Sequence, residues 1–222
     1  MSERELRVAL ELANARLKRA VEALAPKHKG GEMAEYHAAH EATLVAERNL
    51  AAALGEPYAV PLEFPVLWDI GAPLPYLLQN DYKAFLLFLL ADTQARRDGS
   101  FVTVVAPGDT SPSNIATVEF RGCVCSKMGT PNDEVLEGHP LHGKGFVGYR
   151  PLRVVNSAWI KELEAINSVH RHYTPARWKT LSHYIFGFHD CTFECVAQSF
   201  AVEKMATTMA AALAAICQRL AE

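Results

Sequence analysis

The stretch HYIFGFHDCTFECVAQSF, residues 183–200, constrains the fold of this 222-residue chain more than any other segment. It contains two runs rich in aromatic and apolar residues, separated by Asp190 and Cys191. An Asp at such a position is typical of a tight turn, because its carboxylate accepts a hydrogen bond from a nearby backbone N–H. The stretch therefore predicts two antiparallel strands joined by a two-residue turn.

Successive side chains of a strand point to opposite faces, so the predicted hairpin sorts its residues into two sets. One face carries His189 and Glu194, and Gly187 opposite Glu194 leaves open space beside the carboxylate. These polar residues fit a solvated hairpin end, and they equally fit a His–carboxylate pair that lines a pocket. The other face is apolar and predicts a core: Tyr184, Phe186, Phe188, Phe193, Cys195 and Ala197.

Further strand-like runs lie at 82–91, 100–107, 115–128 and 145–156, and most are joined by short turns rather than helices. We therefore expect an α+β fold, with a mainly antiparallel β-sheet and flanking helices. Asn156 or Ser157 is expected to cap one helix, and Pro175 opens a short second one. A final Ala-rich helix is expected over about Val202–Leu220.

Residues 2–54 predict an N-terminal α-helical hairpin that precedes the sheet. Ser2 and Glu5 form a capping-box pattern, and the segment 25–32 breaks the helical period with Pro26 and two glycines. We expect a helical hairpin over 1–56 and an α+β domain over 57–222. A two-helix hairpin cannot bury its apolar stripe alone, so we expect a homo-oligomer, most simply a dimer.

Composition excludes several classes of function. The formal net charge is -3 and no basic patch dominates, so no nucleic-acid partner is expected. The longest apolar run, Ala84–Ala91, is too short to span a membrane, and the charged N-terminus lacks a signal peptide's apolar stretch, so no membrane partner is expected. Five cysteines without a disulfide spacing fit reduced thiols, so we expect a bacterial-type cytoplasmic protein.

A second group of polar residues lies in the loop GTPNDEVLEGHPLHGKG, residues 129–145. Loops between strands often carry function, so this loop is expected to contribute ligand-binding residues: Asn132, Glu134, His139, Lys144 and Gly145. His139, His189 and Glu194 offer a set of nitrogen and oxygen ligands for a metal ion. No spacing in the sequence is diagnostic of a metal site, and no cofactor is identified.

Four motifs together resemble a widespread family of uncharacterised bacterial proteins: WDIGAPLPYLL, GCVCSKMGTPNDEVLEGHPLHGKG, NSAWIKELEAINSVH and HYIFGFHDCTFECVA. The resemblance covers about Phe64 to Ala197 and includes HPLxGKG and FHDxTFEC patterns. This chain departs from the family at Cys191, where Ser is usual, and at His142, where an aromatic residue is usual. The resemblance implies no activity. It implies that one site includes His139, Lys144, His189, Asp190 and Glu194.

Two functions remain open from the sequence. The first is a small-molecule ligand-binding or regulatory protein whose pocket is lined by the His189/Glu194 face and the 139–145 loop. The alternative is a small-molecule enzyme that uses His189 and Glu194 as an acid/base pair, with Asp190 beside them and a metal ion as an option. The chain lacks a nucleophile elbow, a dinucleotide fingerprint and a metalloprotease helix.

Overall fold

The N-terminal hairpin is present in the computed structural model, which describes residues 1–24, 30–91 and 108–222. Helix α1 spans Glu3–Leu24 and helix α2 spans Gly30–Ala53. The capping box is confirmed, because the Ser2 N–H donates to Glu5 Oε2 at 2.7 Å and the Glu5 N–H donates to Ser2 Oγ at 3.3 Å. The hairpin contacts the rest of the chain through Glu47, which accepts from the Gly145 N–H at 2.8 Å.

The described residues form nine strands in two antiparallel sheets, which confirms the α+β prediction. The first sheet has the order β1-β6-β7-β8-β5: Tyr58–Pro61, Pro151–Val155, Ser182–Gly187, Thr192–Ala197 and Cys125–Gly129. The second sheet has the order β2-β3-β4-β9: Tyr76–Gln79, Ala84–Leu89, Ser113–Arg121 and Ser199–Thr207.

The two sheets pack face to face over one aromatic core. The predicted apolar face of the 183–200 hairpin meets residues of β3 and β4 there, and Trp68 packs between the sheets. This explains why β3 is buried on both faces: its other face packs against the final helix, α5, Met209–Ala221. The main residues of the inter-sheet core are Leu86, Phe88, Val118, Phe120, Tyr184, Phe186, Phe188, Phe193, Cys195 and Ala197.

The outer face of the first sheet is covered by the chain between β5 and β6. This connection contains a short 3₁₀ helix, Asp133–Gly138, followed by turns up to Tyr149. Leu141 and Phe146 from these turns pack onto Leu152, Val154 and Ile185 of the sheet. Helix α3, Ala158–Asn167, follows β6 and lies beside the same face, and the short helix α4, Pro175–Trp178, leads into β7.

The predicted final helix over Val202–Leu220 is wrong in its first part. Val202 belongs to strand β9, which pairs with the whole of β4 and adds Phe200 and Val202 to the inter-sheet core. The helix begins only after Thr208, whose hydroxyl accepts from the Ala211 N–H at 3.2 Å. Pairing and burial therefore outweigh the helical propensity of this segment. The strand predicted at 100–107 lies outside the described residues.

The turn of the 183–200 hairpin lies one residue earlier than predicted. Gly187 pairs with Thr192, and the Phe188 N–H donates to the Cys191 carbonyl at 2.8 Å, so His189 and Asp190 form the turn. The two predicted faces are retained, because a one-residue move of the turn shifts the cross-strand pairs by two. The pairs themselves differ from the prediction. Glu194 lies opposite Ile185 rather than Gly187.

One long two-stranded ribbon runs through both sheets. β4 pairs with β9 in the second sheet, and the same two chain segments continue as β5 and β8 in the first. Between Arg121↔Ser199 and Cys125↔Val196, residues 122–124 lie opposite only residues 197–198. One extra residue on one strand of an antiparallel pair is a β-bulge, which bends the ribbon. Gly122 adopts φ +60° there.

Within the described ranges, no helix combines the length and the apolar composition that crossing a bilayer requires.

Candidate functional site

A pocket of about 630 Å³ lies on the outer face of the first sheet. Its walls come from the connection between β5 and β6, from the first residues of α3 and from β5. Strands β7 and β8 form its floor. This volume is in the range of pockets that hold small organic molecules. The walls are largely apolar: Pro57, Pro131, Val135, Pro140, Leu141, Val154, Ala158 and Trp159.

Glu194 lies in the floor of this pocket, with only 8% of its side chain exposed. Its Oε1 lies 2.7 Å from Lys127 Nζ and 3.5 Å from His139 Nε2, and its Oε2 lies 2.8 Å from His183 Nε2. Both oxygens of the buried carboxylate therefore face donors, as a buried charge requires. We call Glu194 with Lys127, His139 and His183 the Glu194 network.

Burial alone raises the pKa of Glu194, but the donors from His139, His183 and Lys127 outweigh it and hold the pKa well below the usual range. The carboxylate is therefore ionised near neutral pH and accepts hydrogen bonds only. A carboxyl group with such a pKa has no proton to give as a general acid.

The ring of His139 is fixed by its own loop. Its Nδ1 accepts from the Leu141 N–H at 3.2 Å, so the neutral ring carries its proton on Nε2, which faces Glu194. Phe146 packs against the ring with centroids 4.5 Å apart. Both nitrogens of His139 thus have partners within the protein.

His183 is buried and is likewise bonded through both nitrogens. Nε2 faces Glu194, and Nδ1 lies 2.9 Å from the hydroxyl of Ser157. That hydroxyl also accepts from the Ile160 N–H at 3.1 Å and so caps helix α3. One serine therefore joins the start of the helix to the imidazole. Because Ser157 is buried and does not line the pocket, it positions His183 instead of facing a ligand.

Two lysines are the exposed charges of the pocket. The side chain of Lys127 is 58% exposed, and its ammonium lies 4.8 Å from the centre of the Trp159 ring. Lys144 is 30% exposed and lies 3.0 Å from Glu56. Each ammonium carries three donors, and a single contact to a carboxylate leaves donors for another partner.

His189 and Asp190, which were predicted to belong to the same site, do not line this pocket. His189 Nδ1 lies 2.9 Å from Asp133 Oδ2, and the Tyr149 hydroxyl bonds to both groups. The hydrogen bond and the charge of Asp133 raise the pKa of His189. Burial and Asp133 raise the pKa of Tyr149 to about 12. In this second cluster the side chain of His189 is 44% exposed and that of Asp133 is 23% exposed, and Asp190 at the edge is 80% exposed.

The remaining predicted residues are divided between the pocket and its support. His139 and Lys144 line the pocket together with Glu194, whereas Asn132, Glu134 and Gly145 do not. Gly145 has φ +81°, and an added Cβ would lie 2.5 Å from the Ala59 carbonyl, so it allows close packing of the loop. The predicted space beside Gly187 is filled, because a Cβ there would lie 3.2 Å from the Cα of Gly148.

The proposed metal ligands do not assemble. His139 and Glu194 are neighbours, but His189 is held by Asp133 outside the pocket. Across residues 1–24, 30–91 and 108–222, no three His, Cys, Asp or Glu side chains are grouped so that they could hold a metal ion.

Three residues of the site were not predicted: Lys127, Trp159 and His183. His183 shares the face of Ile185 and Gly187 by strand alternation, so the period of two contains the signal that places it with Glu194. Lys127 pairs directly with Glu194 across β5 and β8, a pairing that depends on strand order rather than on local pattern. No family model, curated protein or solved structure matches the chain.

Proposed function

We propose that the protein binds a small organic molecule in the pocket above the Glu194 network, as a ligand-binding or regulatory protein. The observation that carries the proposal is a cavity of about 630 Å³ with apolar walls and a buried, fully partnered carboxylate in its floor. Apolar walls with a few ordered polar groups are the usual composition of small-molecule sites.

The alternative of a His–Glu acid/base enzyme has less support. A general base needs a free lone pair near the substrate, but all four ring nitrogens of His139 and His183 have partners within the protein. The lowered pKa of Glu194 also removes it as a proton donor near neutral pH. The arrangement of His139, His183 and Glu194 therefore suits a rigid pocket floor rather than a site of proton transfer.

The test is a binding assay with metabolite-sized compounds, in which NMR monitors the chemical shift of the Trp159 indole N–H. In a variant with Ala158→Trp, a large side chain enters the pocket from the first position of α3. We expect the compounds no longer to change the chemical shift of the Trp159 indole N–H in this variant. Ala165→Trp places the same side chain on an exposed position of the same helix and is the control. Shifts that persist in the Ala158→Trp variant would contradict the proposal.

The same samples separate the ligand-binding function from the enzymatic one. We expect each bound compound to be recovered chemically unchanged after prolonged incubation with the protein. Conversion that depends on Glu194 would establish the enzymatic alternative instead.

We further propose the cytoplasm as the compartment. All five cysteines are free thiols, and Cys123 and Cys195 form no disulfide although their sulfur atoms lie 3.6 Å apart. Free thiols at this distance suit a reducing environment.

A further inference from the structure

We propose that the ligand of this pocket is an amphipathic anion: an apolar body bearing a carboxylate, sulfonate or phosphate group that Lys127 and Lys144 receive. This inference rests on the proposed function and adds the chemical class of the ligand. It follows from asking which polar groups of the pocket are still able to bond to a ligand.

Six side chains of the pocket lining carry a hydroxyl, imidazole, ammonium or carboxylate group: Lys127, Thr130, His139, Lys144, His183 and Glu194. Three of them are closed to a ligand. His139 and His183 use both ring nitrogens inside the protein, and their side chains are 7% and 5% exposed. Glu194 receives three donors and is 8% exposed. These three side chains therefore form a closed set of hydrogen bonds beneath the ligand.

The groups that remain open are mainly donors. Lys127 and Lys144 are the exposed cations of the lining, and each keeps N–H donors beyond its contact with a carboxylate. The carboxylate that faces Lys144 is Glu56, which is itself 43% exposed, so this ion pair is weak and can yield to a ligand. Glu194, by contrast, is buried in the pocket floor and keeps its contacts with Lys127, His139 and His183.

The start of helix α3 also faces the pocket. Ala158 and Trp159, its first two residues, line the pocket, and the first N–H groups of a helix have no partners within the helix. The dipoles of these N–H groups favour negative charge in the adjoining space. With the apolar walls described above, the pocket therefore suits an anionic group attached to an apolar body.

The test uses two fluorescent probes with the same ring system. 1-Anilinonaphthalene-8-sulfonate carries a negative charge, and N-phenyl-1-naphthylamine lacks it. We expect Lys144→Gln and Lys127→Gln each to raise the Kd of the sulfonate probe about fivefold to tenfold while leaving the Kd of the uncharged probe within about twofold. Lys144 is the cleaner position, because its removal does not expose Glu194.

Control variants separate charge from folding. Lys127→Arg retains the charge and is expected to keep the Kd of the sulfonate probe within about twofold of wild type. Lys161→Gln removes an exposed charge from α3 outside the pocket and is expected to change neither probe. Circular dichroism and thermal unfolding confirm that each variant is folded before titration.

The outcomes distinguish the two proposals. If both probes lose binding in the Ala158→Trp variant but respond alike to the lysine substitutions, the pocket binds small molecules and the anion assignment is wrong. If neither probe depends on Ala158, neither occupies the pocket and both proposals lose their support. Selective loss of the sulfonate probe in the Lys144→Gln variant supports the assignment.

Discussion

The Glu194 carboxylate illustrates how partners decide the chemistry of a single residue. In the sequence, Glu194 and the nearby His189 fit either a solvated hairpin end or a His–carboxylate pair that lines a pocket. In the fold, Glu194 is buried beneath Lys127, His139 and His183, and its pKa is lowered. Glu194, to which the enzymatic alternative assigned an acid/base role, is therefore a fixed acceptor, and the groups around it define what a ligand meets.

We expect Glu194→Gln to lower the free energy of unfolding by about 2–3 kcal/mol, because the amide presents a donor to partners that are themselves donors. Lys127→Gln is expected to cost less than about 1 kcal/mol, because its ammonium is largely exposed. Urea unfolding of the two variants and wild type at pH 7 measures both values. Equal losses in the two variants would contradict the buried assignment of Glu194.

The pH dependence of the stability difference between wild type and the Glu194→Gln variant gives an independent check. A carboxylate whose folded pKa is lowered contributes stability above its ordinary pKa of 4.5, and this contribution is lost as the pH falls through the folded pKa. The stability difference between wild type and the Glu194→Gln variant should therefore be constant near neutrality and shrink on acidification below pH 4.5. A difference that grows towards acid would contradict the lowered pKa.

At the scale of elements, helix α3 and strand β7 are joined by Ser157. The cap itself was predictable, since a Ser before an apolar helical pattern is a frequent N-cap. The bond from the same hydroxyl to His183 was not, because it links residues 26 positions apart through the packing of a helix on a sheet. Local pattern determined the cap, and tertiary structure determined its second partner.

Two capping residues allow this linkage to be measured. Ser157→Ala should cost about 2 kcal/mol, of which about 1 kcal/mol is the lost cap and the rest is the unpaired ring nitrogen of His183. Thr208→Ala removes the comparable cap of α5 and should cost about 1 kcal/mol, because Thr208 holds no buried imidazole. Thermal unfolding compares them. An equal cost would mean that the bond to His183 contributes no stability.

The hairpin at 183–200 shows how far periodicity reaches. Alternation predicted the apolar face correctly, since every residue assigned to the core is in it. It could not predict the cross-strand partners, because they depend on the position of the turn, and Asp190 is compatible with more than one position. His189 therefore lies outside the site, and His183, two residues before Ile185 on the same face, takes its place.

At the scale of the whole molecule, self-association remains a prediction. The apolar face of α5 is not available for it, because Met209, Ala212 and Ile216 are buried against the second sheet. The helical hairpin still exposes Val8 and Leu12, one turn apart on α1. Any shared surface is therefore expected on the hairpin.

Light scattering coupled to size-exclusion chromatography tests this expectation. We expect wild type at micromolar concentration to have about twice the 24.4 kDa mass of the chain. Leu12→Glu should shift the mass towards that of a single chain without changing the circular dichroism spectrum, because Leu12 is 67% exposed. If wild type has the mass of a single chain, the prediction of self-association is wrong.

The β-bulge at residues 122–124 determines which face of the first sheet receives the charge of Lys127. If β5 continued the register of β4 and β9, Lys127 would lie opposite Phe193 and face the aromatic core. The extra residue places Lys127 opposite Glu194 instead. Because side chains alternate between faces, one backbone residue is enough to make this change.

The bulge also lets a single ribbon supply both walls of the core. Ala197 and Phe200 both contact the inter-sheet core, although they are three positions apart. On a straight strand, residues three apart point to opposite faces. Strands that pass from one sheet into another turn such a corner at a bulge or a bend. Without this corner the ribbon would direct either Ala197 or Phe200 away from the core, so the backbone at 122–124 closes the sandwich that carries the pocket.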